Sequence, residues 1–354
     1  MKIGPLDRLL IFSSDKMAQA IELKNTCMLR SENIIRKFRE NGISLEVLLK
    51  IDTKIGKTER QICVNEALKD EKFRKQWVKL LSFTSELFRN YNIVYVFIKI
   101  LNIPWAIMTD LDVLPLDVLE EIKALEILSE LGFNLFHFRL LSHPLKIMAA
   151  KNLQTGEPSV TVDFYPKPMW IRKKVCDSEI IFARRRKTVI DGIEICVPSI
   201  EDDLYLVGTH AYNHLRFTLA EILHALNLMK CNNFDWDYLY NLAVDYGTVD
   251  AIYTYIRIVD IYSKIFRKYS HVDEGFLAEL SKKTHLCRKI DSWLMNKYLK
   301  NISFPALIPS RIACIYSSFY HSKILLARAS LNEVIHDFLS HYLSLSSKIV
   351  LGKT

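Results

Sequence analysis

The sequence predicts an α+β fold in which a small mixed β-sheet is flanked by N-terminal helices and followed by a C-terminal helical domain. Apolar residues recur every three or four positions up to residue 90, which is typical of amphipathic helices. Short runs rich in β-branched and aromatic residues then predict strands up to residue 196, with one helix between them. Helical spacing returns beyond that point. We therefore expect three parts, with bounds 1–90, 91–196 and 197–354.

The N-terminal part is predicted to be helical over residues 15–90, on the basis of stretches such as "EKFRKQWVKLLSFTSELFRNY". Trp77, Leu81 and Phe88 fall on one stripe of such a helix. We expect this stripe to be buried against the rest of the protein.

The central part begins with two strand-like runs, "IVYVFIKIL" and "WAIMTDLDVL", separated by the turn-like "NIP". We expect these runs to form a hairpin. The next segment, "PLDVLEEIKALEILSELGF", predicts a helix, because Pro115 stands near its start and Gly132 at its stop. Two further strands are predicted at "NLFHFRLL" and "SVTVDFYP".

The C-terminal part is predicted to open with a helix capped by Ser199, which has Asp202 three positions later. Helical spacing continues through segments such as "TLAEILHALNLMK" and "WDYLYNLAVDYG", almost to the end. No repeat of fixed period is visible in the sequence, so a solenoid is not expected.

Composition narrows the function classes. Glycine accounts for 10 of 354 residues, so no glycine-rich loop is available to hold phosphates as in P-loop or Rossmann enzymes. The seven cysteines are scattered and include no CxxC pair, which predicts a reducing intracellular compartment. The net charge of +8 is compatible with a polyanionic partner such as a nucleotide, RNA or DNA.

We expect a cytoplasmic protein that does not bind a membrane. The apolar run "LLIF" near the start is too short for the hydrophobic region of a signal peptide. The one candidate for a membrane span, residues 94–117, is interrupted by Lys99, Asn102 and Pro104. It therefore falls short of the roughly 20 apolar residues that a membrane-spanning helix needs.

The second predicted strand contains two carboxylates with one residue between them. Side chains two positions apart on a strand share a face, so we expect Asp110 and Asp112 to project together. Asp163 in "VTVDFY" supplies a third acid on a neighbouring strand. Like charges side by side need a counterion, and Mg²⁺ binds carboxylate and phosphate oxygens together. Such a site suits phosphoryl or nucleotidyl transfer.

A strand carrying Lys99 is thus followed by the "DLD" strand, a helix and a later strand with a lone acid. This order resembles the polymerase-beta-like nucleotidyltransferase superfamily. The sequence looks most like a branch of poorly characterised nucleotidyltransferases in which "LLKG" precedes "DxDLLV", and which includes toxins of toxin–antitoxin systems. Downstream, "VPSIEDDLYLVGTHAYNH" and "LAEILHALNLM" are similar to two helices of that branch, so the likeness covers residues 75–230.

The resemblance implies a nucleotidyltransferase core and a metal-dependent reaction. A nucleoside monophosphate would pass from an NTP to an acceptor hydroxyl on RNA or protein, and an antitoxin-like protein is an implied partner. Asp110, Asp112 and Asp163 match the catalytic carboxylates that bind Mg²⁺ or Mn²⁺. Glu221 stands where the branch usually has aspartate. The nucleotide-binding residues that the resemblance implies are Lys99 and Glu221. We also expect nucleotide binding by Thr109, next to the acids, and by His210, which we expect to line the active cleft.

The run "ARRRK" is the one dense group of positive charge in the chain. Arg184, Arg185 and Arg186 are candidates for binding phosphate groups of the nucleotide or of an RNA acceptor. The alternative is a solvated loop ahead of "TVIDGIEI".

One position departs from the superfamily pattern. Members generally have glycine just after the first strand, where backbone amides hold the triphosphate, and this sequence has Ile100 and Leu101. We expect a β-branched side chain there to obstruct the approach of phosphate to the backbone. Two rival hypotheses follow. In the first, the protein has kept the fold and lost catalysis, and serves as a partner- or nucleic-acid-binding module. In the second, it is a helical nucleic-acid-binding protein with an incidental α/β core.

Overall fold

The computed structural model describes residues 42–46, 57–103, 106–137, 147–150, 160–170, 173–214, 217–230, 233–267 and 270–284. Helices predicted before residue 42 and after residue 284 lie outside these ranges. Within them the chain has a mixed α/β fold with a small mixed sheet, as predicted. None of the described helices is both long enough and apolar enough to cross a lipid bilayer.

The helices among the described residues are α1 (Lys57–Asn90), α2 (Val118–Glu130), α3 (Ser178–Arg184), α4 (Ile200–His214), α5 (Leu219–Leu228), α6 (Trp236–Asp245), α7 (Val249–Arg267) and α8 (Glu274–Lys283). The strands are β1 (Tyr95–Phe97), β2 (Asp110–Pro115), β3 (Asn134–His137), β4 (Ile147–Ala150), β5 (Thr161–Phe164), β6 (Met169–Trp170), β7 (Lys173–Lys174), β8 (Arg186–Ile190) and β9 (Ile193–Val197).

Five strands form the central sheet in the order β1-β2-β5-β4-β3. β1 pairs with β2 in antiparallel fashion, and so do β3 with β4 and β4 with β5. β2 and β5 run parallel, and their register places Asp112 opposite Asp163. The pairs β6-β7 and β8-β9 form two small separate sheets. The parallel pair at the centre of this mixed sheet therefore brings the predicted acids onto adjacent strands.

The central sheet is covered on both faces, because alternate residues of β2 enter different cores. Leu111 and Val113 are fully buried in a core that α1 and α2 share. Leu114 is buried in a second core, to which the C-terminal helices contribute. Asp110 and Asp112 alternate with Leu111 and Val113 along the strand. The two aspartates therefore lie on the face that the C-terminal helices cover.

The connection between the first two strands is longer than the predicted "NIP", although the antiparallel pairing is confirmed. β1 ends at Phe97 and β2 begins at Asp110. The prediction that Lys99 lies within the first strand is wrong: it lies just beyond the strand, with a left-handed φ of 55°. That conformation ends the extended backbone of β1.

The predicted helix after β2 is confirmed, but it starts later. Pro115 is the last residue of β2 and lies outside the helix. Asp117 is the N-cap, since its side chain accepts hydrogen bonds from the backbone N–H groups of Leu119 and Glu120. These bonds satisfy two donors that the first turn leaves free. Gly132 follows the helix with a φ of 81°, a left-handed conformation that glycine adopts readily.

The alternative that made "ARRRK" a solvated loop is wrong about the loop, although Arg185 and Lys187 are exposed to solvent. Arg184 ends α3, and Arg186 begins β8. β8 and β9 then form a hairpin whose turn contains Asp191 and Gly192, both with positive φ. An Asp-Gly pair is typical of this turn, because both of its central residues need a positive φ. Further along, the predicted cap at Ser199 is confirmed, because its Oγ accepts from the backbone N–H of Asp202.

Candidate metal centre

Asp110, Asp112 and Asp163 come together on the face of the sheet that the C-terminal helices cover. The first two lie on β2, and the parallel register sets Asp112 opposite Asp163 on β5. One carboxylate oxygen from each of the three residues lies within 4.8 Å of the other two. A divalent cation that prefers oxygen ligands can be bound by groups at this separation.

Neighbouring hydroxyl groups orient two of these carboxylates. Thr161 Oγ1 donates to Asp163 Oδ1 at 3.0 Å, and Thr109 Oγ1 donates to Asp110 Oδ1 at 3.4 Å. Asp112 is 5% exposed and Asp163 is 2% exposed, so their charges cost free energy unless a cation is close. The three acids offer only hard oxygen ligands, a donor set that fits Mg²⁺ or Mn²⁺.

Lys99 brings a positive charge into the cluster. Its Nζ lies 2.7 Å from Asp112 Oδ2, and both side chains are buried. The same ammonium donates to the hydroxyl of Tyr165 at 3.3 Å and lies 4.5 Å from the centre of that ring. A left-handed backbone at a non-glycine residue persists only where its surroundings hold it. At Lys99 these contacts are part of what holds it.

Tyr165 follows β5 directly, and its hydroxyl stays protonated. Burial raises the pKa of this phenol well above its usual value, and the charges of the three aspartates raise it further. A hydrogen bond to Asp112 acts in the same direction. Tyr165 is therefore a neutral hydrogen-bonding group in the cluster and not a base.

Helix α4 contributes His210 to the same region. His210 Nε2 lies 3.5 Å from Lys99 Nζ. The indole of Trp170 packs edge-on against the imidazole, with 5.1 Å between the ring centres, and its Nε1 donates to Thr209 Oγ1 at 2.9 Å. The imidazole of His210 is partly exposed. The structure thus brings together three of the predicted nucleotide-binding residues beside the acids, namely Lys99, His210 and Thr109.

Two arginines of "ARRRK", Arg184 and Arg185, have partners of their own. Arg184 Nη2 pairs with Glu201 Oε2 at 2.9 Å, and the guanidinium lies 3.7 Å from the centre of the Tyr238 ring. Arg185 Nη1 donates to the carbonyl oxygen of Phe182 at 2.6 Å. The contacts of Arg184 join α3 to α4 and α6. The structure gives this residue a packing role, and its predicted contact with a nucleotide or RNA stays a prediction.

Glu221 also has a structural role. It forms a capping box with Thr218 at the start of α5, in which the backbone N–H of Thr218 donates to Glu221 Oε2 at 2.7 Å and the N–H of Glu221 donates to Thr218 Oγ1 at 3.2 Å. Its carbonyl oxygen accepts from the hydroxyl of Tyr255 at 2.8 Å. These bonds fix the beginning of α5. They place Glu221 at a helix end, and its predicted contact with nucleotide stays a prediction.

One contact beside the acids has no clear signal in the sequence. Trp77 on α1 donates from Nε1 to the carbonyl oxygen of Asp110 at 2.9 Å, whereas its spacing marks it only as a member of an apolar stripe.

Ile100 is 3% exposed in the core that α1 and α2 share. That core lies on the opposite face of the sheet from the aspartates, so Ile100 does not present its side chain on the face that carries them.

The chain was compared with protein-family models, with curated proteins and with solved structures, and nothing matched. The residues and the geometry of this chain therefore carry the functional interpretation.

Proposed function

We propose that this protein is a metal-dependent nucleotidyltransferase, which transfers a nucleoside monophosphate from an NTP to an acceptor hydroxyl. The observation that carries the proposal is the meeting of Asp110, Asp112 and Asp163 within 4.8 Å. Three acids at this distance, two of them buried, repel one another, and a divalent cation offsets that repulsion. The resemblance of the sequence to polymerase-beta-like nucleotidyltransferases supports the same reaction.

The charges of the site fit one firmly bound divalent cation. The three carboxylates carry three negative charges, and Lys99 contributes one positive charge beside Asp112. Tyr165 is neutral because its pKa is raised. The excess of two negative charges equals the charge of one Mg²⁺ or Mn²⁺ ion.

Each side chain has a distinct part in the proposed reaction. Asp110, Asp112 and Asp163 would hold the cation, which would polarise phosphate oxygens when bound. Asp163 accepts the proton of the acceptor hydroxyl as that oxygen attacks the α-phosphorus of the NTP. The new P–O bond forms as the bond to the leaving pyrophosphate breaks. Lys99 and His210 bind the pyrophosphate, on which negative charge accumulates.

A labelling assay tests the proposal. Purified protein is incubated with each α-labelled NTP, with Mg²⁺ or Mn²⁺, and with total RNA or cell extract as acceptor. We expect label on a macromolecule, and a loss of at least about 100-fold in the Asp110→Asn, Asp112→Asn double variant. The matched control is Asp245→Asn, which changes an exposed aspartate at the end of α6 and is expected to keep full activity. Equal labelling by the double variant would contradict the proposal.

A second candidate is a protein that keeps this fold without catalysis and binds a partner or nucleic acid. The observation that favours it is the ion pair of Lys99 with Asp112 at 2.7 Å, because an ammonium beside the acids can stand in for a cation. This candidate predicts that Mn²⁺ and NTP do not bind. It also predicts RNA binding whose affinity falls steeply with salt concentration. An antitoxin-like partner stays a prediction under both candidates.

A further inference from the structure

We propose that His224 is a positioning residue for Lys99 and acts through the backbone of the loop between β1 and β2. The part of Lys99 in the reaction rests on the proposed function. The placement of Lys99 does not, and it can be measured without any substrate.

His224 lies on α5 and joins two other parts of the chain. Its Nδ1 accepts a hydrogen bond from the backbone N–H of Asn102 at 3.2 Å. On the other side of the ring, Nε2 lies 3.0 Å from Asp203 Oδ2 on α4. His224 is 1% exposed and Asp203 is 3% exposed. A buried imidazole thus connects the loop that carries Lys99 to two C-terminal helices.

These contacts fix the protonation and the orientation of the ring. A backbone N–H can only donate, so Nδ1 of His224 must be unprotonated. The proton is therefore on Nε2, which donates to Asp203. Asp203 stands in the first turn of α4, where the helix dipole favours a negative charge. The imidazole consequently has one tautomer and one orientation, as a rigid connection requires.

One hydrogen bond holds the loop before Lys99, and a second holds it after Lys99. Before it, the backbone N–H of Ile98 donates to the carbonyl oxygen of Asp112 at 3.0 Å. After it, the N–H of Asn102 donates to His224. Between these points the chain takes the left-handed turn at Lys99, a conformation that needs support from its surroundings. If the bond to His224 is lost, we expect the turn to relax and Lys99 Nζ to leave Asp112.

Three substitutions of His224 separate the two bonds of its ring. In His224→Asn the amide oxygen, bonded to Cγ, can take the place of Nδ1 and accept from Asn102. In His224→Gln the amide nitrogen, one atom further along, can take the place of Nε2 and donate to Asp203. His224→Leu removes both bonds. If the Asn102 bond positions Lys99, the Asn variant keeps Lys99 in place and the Gln and Leu variants release it.

The first readout is the acetylation rate of Lys99, followed by mass spectrometry without metal or nucleotide. In the wild type we expect it to be at least about tenfold slower than that of the exposed Lys167, because reaction requires local opening. We expect an increase of at least about fivefold in the Gln and Leu variants and less than about twofold in the Asn variant. The thiol of Cys176, 1% exposed, serves as the control for global unfolding, because its alkylation should not change.

Unchanged protection of Lys99 in the Gln and Leu variants would overturn the proposal, as would equal release in all three. If faster alkylation of Cys176 shows that a variant unfolds, the role of His224 is tested on the wild-type protein instead. In its ¹⁵N-histidine spectrum His224 must have a protonated Nε2 and an unprotonated Nδ1, and the opposite tautomer or a doubly protonated ring would overturn the proposal.

The labelling assay supplies the second readout. We expect His224→Gln to lower kcat/KM for the NTP by about tenfold and His224→Asn by less than about threefold. Normal kcat/KM in the Gln variant despite release of Lys99 would overturn the link to the reaction. If Lys99 responds as expected but no protein labels any acceptor, the positioning by His224 stands and the proposed function fails.

Discussion

A lysine stabilises the acid cluster at the scale of single residues. Two of the three carboxylates are almost fully buried, and removing water from an unpaired charge is costly. Lys99 offsets part of that cost through its ion pair with Asp112. Breaking such a buried pair by removing one partner typically costs about 3 to 5 kcal/mol. Lys99 therefore contributes to folding as well as to the proposed binding of phosphate.

Glu121 on α2 is a second acid whose protonation matters for stability. It is 5% exposed, and burial raises its pKa from 4.5 to about 7. The folded protein therefore holds this proton more tightly than the unfolded chain. The contribution of the protonated Glu121 side chain to the free energy of unfolding is therefore fully present below pH 4.5. It is lost as the pH rises through 7.

We predict that Glu121→Gln stabilises the protein at alkaline pH, because it removes a buried charge. At about pH 8 the free energy of unfolding should rise by about 2 to 3 kcal/mol, and near the pKa of the unfolded chain the gain should nearly vanish. The measurement is urea unfolding across this pH range. Glu126→Gln, at an exposed position of the same helix, is the control and should show no such trend. A gain that is the same at every pH would contradict the account.

At the scale of elements, α1 supports β2, the strand that carries Asp110 and Asp112. The indole of Trp77 donates to the carbonyl oxygen of Asp110 and so holds the first residue of β2. Trp77→Phe keeps an aromatic ring in the core and removes this bond. We expect a loss of about 1 kcal/mol in the free energy of unfolding and a several-fold weaker affinity for Mn²⁺.

The control for Trp77→Phe is Trp236→Phe. Trp236 packs against the rings of Phe234 and Phe276, far along the chain in α6. This variant should leave Mn²⁺ affinity unchanged. Urea unfolding and calorimetry give the two quantities, and an equal loss of Mn²⁺ affinity in both variants would count against a role of α1 in the site.

The elements also show what the sequence could predict. Alternation along β2 predicted that Asp110 and Asp112 share a face, and strand pattern put Asp163 on a neighbouring strand. The left-handed turn at Lys99 could not be predicted, because a single φ value leaves no mark on a pattern of apolar residues. Strand β4 was not predicted for another reason. Its sequence "IMAA" has only four residues and does not alternate between apolar and polar side chains. The bond of Trp77 was hidden because an indole donor on a core stripe looks like packing.

At the scale of the whole molecule, the sheet and the C-terminal helices share a core. Val96, Leu114 and Tyr165 from the sheet region are buried together with Tyr205 of α4 and Tyr255 of α7. The face of the sheet that carries the three aspartates is therefore covered by helices that come later in the chain. The predicted boundary near residue 197 crosses this shared core.

We predict that a fragment of residues 57–197 does not fold on its own, because it would expose the residues that the C-terminal helices cover. The comparison is a fragment of residues 42–284, which keeps both cores. Urea unfolding should be cooperative for the longer fragment only, and only that fragment should bind Mn²⁺. Cooperative unfolding and Mn²⁺ binding by residues 57–197 would show that the helices are dispensable.

The most direct test of the metal centre is calorimetric titration of Mn²⁺ into the wild type and into three single variants, Asp110→Asn, Asp112→Asn and Asp163→Asn. The three acids lie within 4.8 Å of one another, so each should supply a ligand. We predict that each variant binds Mn²⁺ at least about tenfold more weakly than the wild type, while the control Asp245→Asn binds it normally. The same affinity in all five proteins, or no binding by the wild type, would contradict a metal centre at these carboxylates.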